Sequence, residues 1–234
     1  MGRHFEVRAA AMAATAKAKS AIYMRASKEI YAAAKSGVPD PESNLALRSA
    51  IEKYRKTCPK DVIERAIEKA KGGDTVSYIP GSYEFFGPGG SYLIVNTLTD
   101  NVNRALVTVR TIVTRKGGKM GSVSYNFQYM GVIDFKGENV EEVEENLIMA
   151  DVDLQNCTCE DGIIEVQVTP TDLEKAKKAL NDMGVTEFEN AENTMLANEE
   201  IELQGEDLER FKKCLEELDE AEDVQAVYHN VANA

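Results

Sequence analysis

The spacing of apolar positions changes once along the chain, near residue 82. Upstream, apolar side chains recur every three or four residues. Downstream, short β-branched and aromatic runs alternate with helical stretches. Residues 6–35 are alanine-rich and contain neither Gly nor Pro, which predicts a long helix. At about 100° per residue, Lys17, Lys28 and Lys35 share one side of it. Ile22, Tyr23, Ala26, Ile30 and Ala33 fall on the opposite side and are the expected buried stripe. The run Gly37-Val38-Pro39-Asp40-Pro41 ends this helix. A second helix is predicted from about Ser43 to Lys56, with Leu47, Ala50, Ile51 and Tyr54 on one face. Pro59 suits the first position of a third, because its missing N–H costs nothing there. Ile63, Ala66, Ile67 and Ala70 form its apolar stripe, and Gly72-Gly73 close it.

Beyond Ser82, Tyr83–Phe86 and Tyr92–Leu98 read as strands joined through Gly87-Pro88-Gly89-Gly90. That glycine run lacks the Lys-Ser/Thr of a P-loop and reads as a tight turn. Asp100 is placed to cap a helix over about 101–116, stopped by Gly117-Gly118. Strands are predicted at Val123–Phe127 and Val132–Phe135, followed by a helix at about 139–149. Strands at 152–158 and 163–168 come next, then a helix at 171–183 capped by Thr169 or Thr171. Strand-like residues at 186–197, a helix at 206–219 and a strand at Val224–His229 complete the chain. This order predicts an α+β fold with three domains. A helical domain covers 1–79, an α+β domain combines 80–129 with 199–234, and a βαββαβ domain at 130–198 is inserted into it. The last helix and strand are expected to complete the sheet begun at Tyr83.

Charge changes the picture. The chain has 234 residues and a formal net charge of −13, which by itself argues against nucleic acid. Residues 1–119 hold 20 Lys+Arg and 11 Asp+Glu, a net of +9, whereas residues 120–234 hold 7 and 29, a net of −22. Such a split points to nucleic-acid or acidic-surface binding by the basic end. Acidic runs such as Glu141-Glu142, Glu144-Glu145 and Glu216-Glu217 read as solvated surface that faces away from phosphate or meets basic protein.

The remaining chemistry is sparse. Cys157 and Cys159 are close, but Cys58, Cys214 and both histidines, His4 and His229, lie far away, so neither a zinc spacing nor a His-based triad is present. No enzymatic activity, metal or cofactor is therefore expected. The thiols read as reduced cysteines of a cytoplasmic protein. No run is long enough to span a membrane, and Ala9–Ala14 is too weak for a signal-peptide core.

The candidate phosphate contacts are Lys17, Arg25, Lys28 and Lys35 on the first helix. Arg48, Arg55, Lys56 and Lys60 follow on the next two, where Asp61 and Arg65 are spaced to pair with each other. Asn103 and Arg104 form a polar cluster at a helix start that capping by Asp100 does not explain. Lys119 is an exposed cation after a helix stop. No helix-turn-helix, zinc finger or RNA-recognition aromatic motif is evident, so sequence-specific base reading has no support in these residues.

Three blocks carry a more specific signal. The first is Asp40-Pro41, Asn44, Leu47-Arg48, Ala50-Ile51, Lys53, Pro59-Lys60-Asp61, Ile63-Glu64-Arg65-Ala66-Ile67 and Lys69. The second is Tyr83-Glu84 with Gly87-Pro88-Gly89-Gly90. The third is Leu98-Thr99-Asp100-Asn101, Asn103-Arg104, Val109-Arg110, Gly117-Gly118, Gly121-Ser122-Val123, Phe127 and Gly131-Val132-Ile133. In order and spacing they resemble the YebC/PmpR family of gene-expression regulators. The opening Gly2-Arg3-His4-Phe5-Glu6 is similar to its Gly-Arg-x-Phe-Glu branch, and a match beginning at Gly2 leaves no room for a cleavable leader. The resemblance implies a cytoplasmic protein with a helical domain followed by two ferredoxin-like α+β domains. It also implies nucleic acid as partner. Bacterial members are labelled DNA-binding transcriptional regulators, a mitochondrial relative is a translational activator of a cytochrome oxidase subunit, and others help ribosomes through proline-rich sequences.

Two readings follow: a promoter-binding regulator on DNA, or a translation factor on ribosomal RNA. Repulsion of long duplex by the −22 half tilts the physics toward the second. A monomer is expected. A small-molecule sensor built on the βαββαβ unit is a third reading with no pocket signature behind it.

Overall fold

The computed structural model of the protein describes residues 16–72 and 76–234, with side chains from Lys19 onward. It contains two compact units. One spans Phe127–Leu196, and the other combines the described residues up to Asn126 with Ala197–Ala234.

The larger unit opens with three helices, α1 (Ala16–Lys35), α2 (Leu45–Tyr54) and α3 (Lys60–Lys71). Their core joins Ala26, Ile30, Tyr31 and Ala34 to Leu47, Ala50 and Tyr54 of α2, and to Ile63, Ala66 and Ala70 of α3. The stripe on α1 is rotated from the predicted one. Tyr31 and Ala34 are buried, while Ile22 and Ala33 are only half-buried. Asn44 caps α2 by accepting the Leu47 N–H at 3.0 Å, and its amide donates to the carbonyls of Ala33 and Val38 at 2.9 and 3.0 Å. One side chain thus fixes both the start of α2 and the turn leading to it. Pro59 sits at the cap position of α3, one residue before the predicted place.

The same unit carries a four-stranded sheet in the order β3-β1-β2-β8, from β1 (Ile79–Phe86), β2 (Tyr92–Thr99), β3 (Lys119–Met120) and β8 (Val224–His229). The strand at 224–229 pairs antiparallel with β2, so the end of the chain completes the sheet begun in β1. Two helices, α4 (Val102–Arg115) and α7 (Gly205–Glu220), bury Val109, Val113, Phe211, Cys214 and Leu218 against Phe85, Leu93 and Val95. Two local predictions are corrected here. The cap of α4 is Asn101, whose side chain accepts the Arg104 N–H at 3.0 Å; Asp100 is drawn instead to the Arg104 guanidinium at 2.8 Å. Ser124–Asn126 is a 3-10 turn, not strand, because Glu84 takes the Val123 and Ser124 N–H groups at 2.6 and 2.7 Å.

The smaller unit runs β4 (Phe127–Lys136), α5 (Val140–Met149), β5 (Leu154–Glu160), β6 (Ile163–Val168), α6 (Leu173–Asp182) and β7 (Asn190–Ala197). Its strand order, β5-β6-β4-β7, is that of a ferredoxin-like βαββαβ sandwich. Ile133, Phe135, Ile164, Val166 and Val168 of the sheet pack on Val143, Leu147, Ala176 and Leu180 of the helices. Asn139 caps α5. The residue before α6 is Asp172, not Thr169 or Thr171, and its carboxylate accepts the Asp153 N–H at 2.7 Å. The chain is therefore α+β, a helical segment followed by two α+β sandwiches.

Candidate nucleic-acid interface

The basic side chains of α1 divide into two groups. Arg25 and Lys28 are turned into the larger unit, onto the end of α7 and the turn after it. Arg25 donates to the Val224 carbonyl at 3.0 Å and pairs with Asp219 at 3.2 Å. Lys28, 8% exposed, donates to the Glu222 carbonyl at 3.0 Å and to the Asp223 carboxylate at 3.0 Å. Arg104 reaches the same carboxylate from α4 with two bonds of 2.9 Å. Of the expected phosphate contacts, Arg25 and Lys28 are thus largely covered, while the Arg104 side chain is 44% exposed but engaged by two carboxylates. Their charges are taken up by acidic residues nearly two hundred positions away for α1, and over a hundred for Arg104, a pairing with no local signature.

Asp223 is the centre of this cluster. Burial pushes its carboxyl upward, but bonds from Arg104, Lys28 and Thr99 outweigh that and hold it below the usual carboxylate range. The Arg104 guanidinium is raised, chiefly by its bond to Asp223 and then by Asp100. Lys116 and Glu217 add a further bridge at 2.6 Å between α4 and α7. Part of the charge split seen in the sequence is thus internal complementarity. The basic protein that this part of the acidic half meets is the front of its own chain.

Lys35 is exposed, with its ammonium 5.9 Å from the Tyr31 ring centre. The side chain of Lys17 lies outside the described residues. Arg48 is exposed but holds the loop before α2, donating to the carbonyls of Pro41 and Glu42 at 3.2 and 2.8 Å. Arg55 and Lys56 are exposed, and Lys60 pairs loosely with Glu64 at 3.3 Å on an open surface. The Asp61–Arg65 pair forms as spaced, at 2.7 Å. Asn103 is exposed on α4, on the same face as Arg110, and Lys119 is exposed with its ammonium 5.5 Å from the Phe86 ring. The structure therefore does not gather the predicted contacts into one patch on α1. It leaves cations at the ends of α1 and α2 and along α4 to β3.

Glu84, part of the second motif block but not among the expected contacts, has a structural task. Burial raises its carboxyl, but hydrogen bonds from Val123, Ser124 and Ser122 outweigh this and hold it below the usual range. It fixes the segment after β3 to the sheet. Among the described residues no group of His, Cys, Asp and Glu is arranged to hold a metal ion, and no helix is long and apolar enough to cross a membrane.

Charge also divides sharply between the units. Residues 127–196 hold 4 Lys and 17 Asp+Glu, a net of −13, so the rest of the chain sums to zero.

This architecture and its motif blocks match two family models in series. Residues 3–73 match the TACO1/YebC protein N-terminal domain, and residues 78–231 match the TACO1/YebC second and third domain. The chain belongs to the TACO1/YebC family. It is 48% identical to proteins named probable transcriptional regulatory protein YeeN from Shigella sonnei and Escherichia coli K12, over all of this chain and all of theirs. A crystal structure of a conserved hypothetical protein from Aquifex aeolicus is similar at TM-score 0.76 and 30% identity, covering 91% of this chain and 89% of that one. Several residues shared with the family motif have structural work here: Asn44 as cap and staple, Arg48 as loop clasp, Arg104 as partner of Asp223.

Proposed function

We propose that this TACO1/YebC protein is a nucleic-acid-binding regulator of gene expression and not an enzyme. It acts as a cytoplasmic monomer without a cofactor. One observation carries the reading: Lys35, Arg55, Lys56, Arg110 and Lys119 are exposed on the larger unit, while residues 127–196 carry a net −13 and the rest of the chain sums to zero. Phosphates are met by the larger unit, and the acidic unit is kept from them by repulsion.

The name of the YeeN relatives supports transcription as the process, for which the target would be DNA. The concentrated acidic charge favours a second reading, ribosomal RNA and translation. A ribosome offers RNA beside basic protein, so an acidic unit finds favourable ground there that long duplex DNA lacks. Crosslinking the protein in cells and sequencing the attached nucleic acid tests both. Promoter fragments support the first reading and ribosomal RNA the second. Recovery of no nucleic acid above the uncrosslinked control overturns the proposal.

A further inference from the structure

We infer that the segment Lys119–Tyr125 is a lip for single-stranded nucleic acid, with Tyr125 as a base-stacking platform. The inference rests on the nucleic-acid reading above and names the place and the strand state it uses.

The lip is built rather than merely exposed. Gly117, at φ +92°, and Gly118 turn the chain out of α4; a Cβ on Gly118 would lie 2.5 Å from a Val113 methyl and 2.8 Å from the Phe86 carbonyl. The chain then pairs along the edge of β1, with Lys119 opposite Phe86 and Met120 opposite Phe85. Gly121 donates to the Glu84 carbonyl at 3.1 Å, and the Glu84 carboxylate takes the next two free N–H groups. From the other side Asn198 donates its side-chain amide to the Tyr125 carbonyl at 3.2 Å and its N–H to the Asn126 carbonyl at 2.8 Å.

Asn198 thus holds the Tyr125 carbonyl and Glu84 the two residues before it, while Tyr125 is 68% exposed and Met120 of the same segment 46%. A large aromatic ring on a fixed backbone loses little freedom when a base stacks on it. Exposed cations precede Tyr125 in the chain: Lys119 on β3 and Arg115 at the end of α4. Glu84, the acid closest in this segment, has its charge absorbed by three donors. A shallow open depression of about 410 Å³ lies on the same segment, lined by Ser82, Tyr83, Glu84, Met120 and Ser122. Paired bases cannot reach such a ring, so the surface selects unpaired strands.

The absence of Trp from the chain gives a direct test. In the full chain, Tyr125→Trp introduces a single indole at the lip. Its emission should be quenched by a short oligouridylate and unchanged by a duplex of the same length. In anisotropy titrations with the same labelled oligonucleotides, Tyr125→Ala should weaken single-strand binding by about five-fold or more, the effect of losing one stacked base. It should leave duplex binding within about two-fold, and Tyr125→Phe should bind as the parent does. Lys119→Gln should lower the slope of log K against log salt on single strands by roughly 0.7. If the parent binds single strands and Tyr125→Ala binds them equally well, the lip is wrong and the general reading stands. If the parent binds no nucleic acid, both fall.

Discussion

Asp223→Asn removes one charge from a site where three donors converge. The side chain of Asp223 is 7% exposed and that of Lys28 9% exposed, so the Lys28 ammonium is left in a place water hardly reaches. Breaking a buried pair from one side costs about 3–5 kcal/mol, because the remaining ion keeps its desolvation penalty without its partner. The lower end applies here. Lys28 keeps the Glu222 carbonyl at 3.0 Å, and the Glu222 carboxylate stands 3.6 Å away. A loss of about 3 kcal/mol is expected at neutral pH. It should appear in urea unfolding followed by circular dichroism, and as faster hydrogen exchange in α1 and the 219–224 turn. Lys28→Met retains the apolar stem and leaves Asp223 bound to Arg104, so it should cost less. In the double variant the losses should fall short of their sum, because no unpaired ammonium remains.

The pH dependence has a definite sign. The carboxyl is held low in the folded state, so its contribution is fully present above the ordinary carboxylate value and is lost as pH falls through the lowered one. The stability gap between the parent and Asp223→Asn should therefore be constant near neutrality and close in acid. A loss below about 0.5 kcal/mol, within the range of ordinary surface substitutions, would refute the reasoning. So would a gap that stays constant from neutral to strongly acidic pH.

Other outcomes follow from the same geometry. Glu84→Gln should speed hydrogen exchange at Val123 and Ser124 by weakening charge-assisted bonds worth about 1.5–3 kcal/mol each, and mass spectrometry of the 119–126 peptides checks it. Leu147→Ala empties a fully buried position in the 127–196 unit and should cost about 2–5 kcal/mol, read as exchange confined to that unit's peptides. Burial pushes the thiols of Cys157 and Cys214 up to about 11 and about 12. Exposed Cys159 should accordingly react first with a thiol reagent at pH 8, and the buried Cys58, Cys157 and Cys214 only on unfolding.

Much of the fold was legible in the residues. The period change near Ser82, the βαββαβ order and the return of the last strand to the first sheet all follow from apolar spacing and turn residues. The local misses have physical causes. Asp100 and Asn101 are both good caps, and the choice went to Asn101 because Arg104 draws the neighbouring carboxylate away. Val123–Phe127 has strand-forming residues, but Glu84 takes the amides that a ladder would need. The candidate site was less legible. A helical projection assumes one buried face, and α1 is covered on two: by α2 and α3 through its apolar side, and by the 219–224 turn at Arg25 and Lys28. Nothing near Lys28 in sequence foretells Asp223, 195 positions on. Tyr125 falls inside the strand predicted at Val123–Phe127, where a single tyrosine carries no functional pattern; its exposure and the bonds anchoring its segment single it out.

The Asp223 cluster also bears on why the front and the end of this chain act together. A buried ion pair is weak evidence for net stability, since an apolar pair of similar volume would often serve as well. Its geometry does discriminate between ways of docking α1. Lys28 and Arg104 reach one carboxylate from different helices, and Arg25 meets the adjacent turn through a carbonyl and Asp219. A shift of α1 along its axis by one turn, about 5.4 Å, would break the Lys28 and Arg25 bonds together while Arg104 keeps Asp223 in place. Apolar contacts alone tolerate such a slip better, because small alanines recur along the helix. The basic helices and the acidic end of the sequence are therefore not independent pieces. A fragment ending near residue 75 would lose Asp219 and Asp223, and free Arg25 and Lys28 to meet phosphates that they do not face in the whole chain. On the proposed function, binding by such a fragment would overstate that of the intact protein, whose candidate contacts are those left exposed when both ends are present.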